Sequence, residues 1–203
     1  MLVFGFSLPA CANYIVIDEV IENRVFSDQV ETMGNELASK TGIHLYMSLI
    51  KVLEDNRSII DYQKELMKSL QQPAVLLSFV EQNRQVQIYA EDKSLYETFD
   101  KDQIMSPFAI WPFFDGAIIP ILGVKSKEAH PKDKYATAMF NGYAEISEQI
   151  AGSKDIVLDS AVGNANKNVF RVLISVLFLI SVYTVIKLSY DYRKRKREDN
   201  ESV

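Results

Sequence analysis

The sequence predicts a mixed α/β domain followed by a single transmembrane helix. Three observations carry this. Segments of helical spacing alternate with short β-type runs through residues 14–90. The stretch Val169–Leu188 holds no charge from Val172 to Ile186. The cluster Arg193-Lys194-Arg195-Lys196-Arg197 comes after it, four residues on. A helix needs roughly 20 mostly apolar residues to cross a bilayer, and this stretch meets that length. Arg171 and Lys187 flank it, where their stems lie in lipid and their charges reach headgroups. The basic cluster places the C-terminus in the cytoplasm and is expected to meet anionic lipid headgroups. Residues before 169 are then extracytoplasmic. Ser175, Ser181 and Thr184 can return their hydroxyls to the helix backbone, so they do not oppose a span.

From the N-terminus, Met1–Ala12 is apolar and ends Ala10-Cys11-Ala12, a small-x-small signal-peptidase pattern. Its apolar core is short and no Lys or Arg precedes it, which suggests a start further upstream. Leu8-Pro9-Ala10-Cys11 also resembles a lipoprotein cleavage box, with Pro9 against it. A strand of the mature fold is the third reading. Cys11 is the single cysteine. Cleavage after Ala12 would leave no disulfide, thiolate nucleophile or Cys-ligated metal. The expected organisation is a signal peptide over 1–12, a domain over 13–151, a tether over 152–168, the transmembrane helix over 169–189 and a basic tail over 190–203.

Asn13–Ile21 reads as an extended segment or short strand. Ser27 is expected to cap a helix, with Asp28 and Glu31 in its first turn, and Gly42 to end it in the left-handed conformation. Ile43–Leu53 alternates as a strand does. Ser58 opens a second helix whose Ile59, Tyr62, Leu66 and Leu70 are expected to face inward. Ala74–Val80 is a continuous apolar run, which fits a central strand covered on both faces. Gln85–Ala90 alternates and forms a hairpin with it across Gln82-Asn83. Ser94–Gln103 suggests one or two short helices. Ser106–Val124 holds Pro107, Pro112 and Pro120, which argue against a regular helix. Asp133–Ala151 resumes helical spacing through Tyr135, Met139, Tyr143, Ile146 and Ile150. Gly152–Asn168 is rich in Gly, Ser and Asn and reads as a tether.

The formal charge of −5 is unevenly spread. Residues 1–186 carry 16 Lys/Arg against 23 Asp/Glu, a net of −7, and residues 187–203 carry six against four. An acidic domain excludes nucleic acid as the expected partner. Among the candidate chemistries, His44 lies mid-strand and His130 in a loop, where a packed or solvated histidine outweighs a catalytic one. No Gly-rich phosphate loop, serine elbow or paired-His motif occurs. Carboxylates are what remain. Asp18 and Glu19 could meet Asp55 or Asp61 at strand ends and hold a hard cation, Ca2+ or Mg2+; the plainer reading is a solvated acidic rim. Trp111, Phe113 and Phe114 are either a loop folded over the sheet edge or an exposed contact for a partner protein or membrane.

Three stretches in order resemble the TPM domain, named for a thylakoid lumen protein, a photosystem repair factor and a nematode receptor modulator. They are Ser27 through Lys40-Thr41-Gly42 into Ile43–Ile50; Ile59–Leu70 followed by Val75-Leu76-Leu77-Ser78; and Asn83-Arg84-Gln85-Val86-Gln87-Ile88. Asn141-Gly142-Tyr143 sits where the family's last helix would lie. The resemblance covers about residues 14–150. It implies an α/β/α sandwich around a small mixed sheet, held on the outer side of a membrane by an anchor. It also implies roles in upkeep of membrane complexes, modulation of a receptor, or phosphatase activity. Gln71-Gln72-Pro73-Ala74 stands where the family carries Asp/Asn-Asn-Gly, which removes a metal or phosphate position. The expected function is therefore a periplasmic, single-pass, non-enzymatic accessory module that contacts the bilayer and another membrane or periplasmic protein. The alternative is a divalent-metal-assisted phosphatase.

Overall fold

The computed structural model describes residues 13–53, 57–110, 114–124, 131–161, 173 and 175–190. Two compact units divide at residues 162 and 163. The first is mixed α/β. Its strands are β1 (Ile15–Asp18), β2 (His44–Ile50), β3 (Ala74–Val80) and β4 (Gln85–Ala90). They line up in the order β1-β2-β3-β4. The β1–β2 and β2–β3 pairs are parallel and β3–β4 is antiparallel, so the sheet is mixed.

Helices cover both faces. Ser78 and Val80 of β3 point to helix α2 (Ile59–Met67): Ser78 bonds Gln63, and Val80 packs with Ile59 and Tyr62. Leu77 and Phe79 point the other way, to helix α5 (Pro131–Gly152). The Phe79 and Tyr135 ring centroids lie 5.0 Å apart, and Leu77 approaches Gly142. Helix α1 (Arg24–Thr41) lies beside α5. Coverage on both sides explains why β3 is buried along its whole length, as its unbroken apolar run requires. It also explains β2, where the alternation that suggested a polar face gives way to burial on both faces from Leu45 to Ile50.

Caps set the helix ends. Asn23, not Ser27, caps α1, its side chain accepting from the N–H groups of Val25 and Phe26. Ser27 lies inside the helix and donates its hydroxyl to the Asn23 carbonyl. Asp28 and Glu31 therefore lie beyond the first turn. The cap moves because the chain turns tightly after β1, with Glu22 at φ 51, and delivers Asn23 in extended conformation. Gly42 ends α1 at φ 75, as its position suggests. Ser58 caps α2. That helix turns a different stripe inward: Gln63 and Met67 are buried with Ile59, while Tyr62, Leu66 and Leu70 are half-buried.

Beyond β4, a 3₁₀ turn (Lys93–Glu97) and α3 (Lys101–Ile104) occupy the expected short-helix region. The proline-rich stretch is more regular than its composition suggests. Ala109–Ile110 (β5) pairs antiparallel with Phe114–Asp115 (β6), and α4 (Ile119–Gly123) follows. Pro120 falls in the first turn of α4, where a missing N–H costs nothing. The five helical positions expected to face inward from α5 are all buried.

Both sheet edges are blunted by side chains. Glu31 accepts the N–H groups of Tyr14 and Ile15 beside β1, each at 3.0 Å. On β4, the Lys101 amine donates to Ile88 O at 2.9 Å and the Tyr96 hydroxyl accepts Ala90 N–H at 2.9 Å. Unpaired edge groups invite pairing with other chains, and these contacts occupy them.

Candidate functional site

Of the carboxylates singled out in the sequence, Asp18 and Glu19 accept backbone N–H groups of the fold and Asp61 accepts a side-chain hydroxyl. Asp18 ends β1 and accepts three N–H groups: Val20 at 3.1 Å, Ile21 at 2.8 Å and Glu22 at 2.9 Å. Glu19 ties the β1 end to β2, donating its N–H to Leu49 O and accepting Lys51 N–H on its carboxylate at 3.1 Å. Asp61 sits in the first turn of α2, accepts the Ser58 hydroxyl at 2.7 Å and returns its own N–H to it. Asp55 lies outside the described residues. Among the described residues no three His, Cys, Asp or Glu side chains gather as a metal site.

His44 is half-buried in an aromatic stack. Its ring centroid lies 6.2 Å from Tyr14 and 5.9 Å from Tyr46. The Tyr14 hydroxyl lies 3.4 Å from Nδ1. Burial lowers the imidazole pKa. Burial, with the nearby Tyr46 and Glu31, raises the Tyr14 hydroxyl to about 12. Both groups are therefore neutral near pH 7, as a packing role requires. Behind them the Tyr143 hydroxyl donates to Leu45 O at 2.8 Å. That carbonyl lies beyond the start of β1's pairing, so the tyrosine replaces a missing strand partner.

An open cleft lies between the β1–α1 turn and the start of α5, lined by Ile21, Glu22, Asn23, Arg24, Lys132 and Asp133. Lys132 spans it to Glu22 at 3.1 Å and lowers the Glu22 carboxyl below its ordinary range. Its charges are therefore internally matched. A second, more apolar groove runs along α1 and α5, with Val25, Thr32, Phe140 and Ser160 in its walls.

The densest polar cluster was not singled out in the sequence. Glu36, on α1, accepts the Lys40 amine at 2.6 Å, the N–H groups of Asp159 at 2.6 Å and Ser160 at 2.8 Å, and the Ser160 hydroxyl. Burial alone would raise its carboxyl. The hydrogen bonds from Lys40, Ser160 and the two backbone amides outweigh that and hold it at about 2, against an ordinary 4.5. A depressed carboxyl stabilises the fold fully above the unfolded value and loses that contribution as pH falls through the folded one. The stability difference between the wild type and Glu36→Gln should therefore be full above pH 4.5 and shrink between pH 4.5 and about 2. Thermal melts of both proteins across that range check this; a constant difference would contradict it. The i,i+4 pair Glu36 and Lys40 was legible in the sequence, but the chain segment it clasps was not.

The segment expected to be a tether begins by packing on the domain. Leu158 is 4% exposed and Ile156 packs against the core. Trp111 and Phe113 lie outside the described residues, as do Arg193, Lys194, Arg195, Lys196 and Arg197. Phe114 stands in β6, paired through its backbone with Ile110. Residues 175–190 are helical, and their large apolar side chains are exposed all round the helix, from Val182 at 40% to Tyr190 at 68%. Ser181 and Thr184 return their hydroxyls to Leu177 O and Ile180 O. No helix among the described residues is long and apolar enough to cross a membrane.

Neither a protein-family model nor a curated protein matches the chain. Among solved structures it is similar to the N-terminal domain of a protein from P. gingivalis, determined in solution by NMR. The two share 11% identity over 72% of this chain and 87% of that one, with a TM-score of 0.52. At that identity the likeness speaks to the fold alone.

Proposed function

We propose that this chain is a single-pass membrane protein whose TPM-like α/β/α domain stands outside the cytoplasm and acts as a non-enzymatic accessory module for another membrane or envelope protein. The observation that carries the anchoring is the helix over residues 175–190, which exposes Leu177, Phe178, Ile180, Tyr183 and Ile186 and shows no polar face. Such a surface is stable in lipid and unfavourable in water. The sequence Val169–Leu188 is apolar over the length of a bilayer span, and the charges of Arg193–Arg197 would orient such a span with the C-terminus inside. Tyr14, two residues beyond Ala12, is buried at 2% exposure, which supports a folded domain starting just after the expected signal cleavage.

The non-enzymatic reading rests on how the acidic side chains are used. Asp18, Glu19 and Asp61 each satisfy backbone or side-chain donors of the fold, so recruiting them to Ca2+ or Mg2+ would strip those donors. The competing reading, a metal-assisted phosphatase, makes a distinct forecast. The purified full chain in detergent should hydrolyse a generic aryl phosphate no faster than buffer, with or without millimolar Mg2+ or Ca2+. Turnover that a chelator abolishes would favour the phosphatase.

A further inference from the structure

Helix α5 ends at Gly152 and the chain doubles back on it. Asp155 takes φ 57, its N–H bonds Gly152 O, and Ile156 N–H bonds Ala151 O. Residues 156–160 then lie along the last turns of α1. One apolar side chain is sunk into the core there, Leu158, while its neighbour Val157 is 81% exposed. Ile156 and Ala161 pack partly buried against the core. The remaining attachment is polar and near the surface. The Lys40 amine holds Val157 O at 3.0 Å and the Asp159 carboxylate at 2.9 Å. Glu36 holds the amides of Asp159 and Ser160 and the Ser160 hydroxyl. The Lys154 amine caps α1 through Thr41 O at 2.7 Å.

This segment pairs with no strand, sinks one side chain, Leu158, into the core, and is otherwise held mainly by Glu36, Lys40 and Lys154 through hydrogen bonds near the surface. Elements with few buried apolar contacts and many surface hydrogen bonds open at a free energy below that of global unfolding. We infer that residues 153–161 are a releasable strap: Glu36 and Lys40 clasp it to α1, and its opening lengthens the reach between the folded domain and whatever follows. Clasped, residues 153–161 are held on the domain. Released, they add roughly 30 Å of contour at about 3.3 Å each. The inference deepens the anchored-module reading, because reach matters only to a tethered domain; the strap's opening is measured independently of it.

Hydrogen exchange followed by mass spectrometry on the full chain in detergent micelles tests the strap. The hydrogen-bonded amides of Ile156, Asp159 and Ser160 should be protected, yet exchange at least about tenfold faster than those of the α5 interior. Glu36→Gln and Leu158→Ala should each speed them by a further tenfold or so, while the α5 interior changes less than about threefold. Equal rates for strap and α5 in all three proteins would overturn the inference, since the segment would then open only with the whole domain. Exchange of Ile156, Asp159 and Ser160 at the unprotected rate in the wild type would overturn it too. If Leu158→Ala fails to fold, Glu36→Gln alone decides. A soluble full chain would sink the membrane reading and leave this result standing.

Discussion

Gly34→Ala is expected to lower the stability of the domain by about 3 kcal/mol, although alanine is the better helix former. Gly34 sits mid-way along α1, where glycine costs a helix about 1 kcal/mol relative to alanine. A Cβ there would stand 2.4 Å from Cγ of Tyr14 and 2.5 Å from the Tyr143 hydroxyl. Neither can yield cheaply. Tyr14 is 2% exposed and stacked on Tyr46, 5.5 Å between centroids. Tyr143 is fully buried and supplies the hydrogen bond of Leu45 O. Displacing packed rings costs roughly 1–3 kcal/mol, and orphaning a buried carbonyl a similar amount. Together these exceed the helix gain. The expected fall in melting temperature is about 6–12 °C for a domain of this size. Gly152→Ala is the internal control: nothing lies within 4 Å of its Cβ position, so its melt should match the wild type. A Gly34→Ala melt within 2 °C or so of the wild type would contradict the packing described.

Gly34 also shows what the sequence conceals. Hydrophobic spacing marks α1 and its buried Val30, Met33 and Leu37, but nothing local says that a glycine among them faces two tyrosines from elsewhere in the chain. Gln63 is the same kind of case. Spacing suggests Tyr62 and Leu66 as the inward residues of α2, yet the Gln63 amide is fully buried and donates to Leu76 O, Ser78 Oγ and Gln87 O. Its partners exist only once β3 and β4 have paired. By contrast, β3, β4, the hairpin between them, the Gly42 terminator and the inward face of α5 were all legible, because each follows from a local period or a single backbone conformation. The strap was concealed by composition: Gly, Ser and Asn nearby suggested a free tether, and Ile156 and Leu158 were the only signs of docking. Of the site residues, Asp18 and Glu19 do lie at a strand end, but the donors that occupy them come from the turn after β1 and from Lys51, just past β2. The start of α1 was misplaced for a related reason. Ser27 has the right residue type for a cap, and only the turn set by Asp18 shows that Asn23 arrives first.

The second large effect concerns the proposed anchor. Leu177 and Ile180 are 53% and 55% exposed and fall near the middle of the proposed span Val169–Leu188. An aspartate at the centre of a spanning helix costs about 2.5–3.5 kcal/mol on insertion scales, and each lost leucine or isoleucine forfeits a few tenths more. The double variant Leu177→Asp/Ile180→Asp therefore loses roughly 6–8 kcal/mol of insertion free energy, enough for the membrane to reject the proposed span. The domain and this segment are separate compact units. The domain's melting temperature in detergent should stay unchanged.

Alkaline carbonate extraction of membranes from cells making the full chain tests the anchored module most directly. The wild-type chain should remain in the membrane pellet, and Leu177→Asp/Ile180→Asp should move to the supernatant with its domain still folded. A wild-type chain released by carbonate, or a double variant retained as firmly as the wild type, would contradict the account.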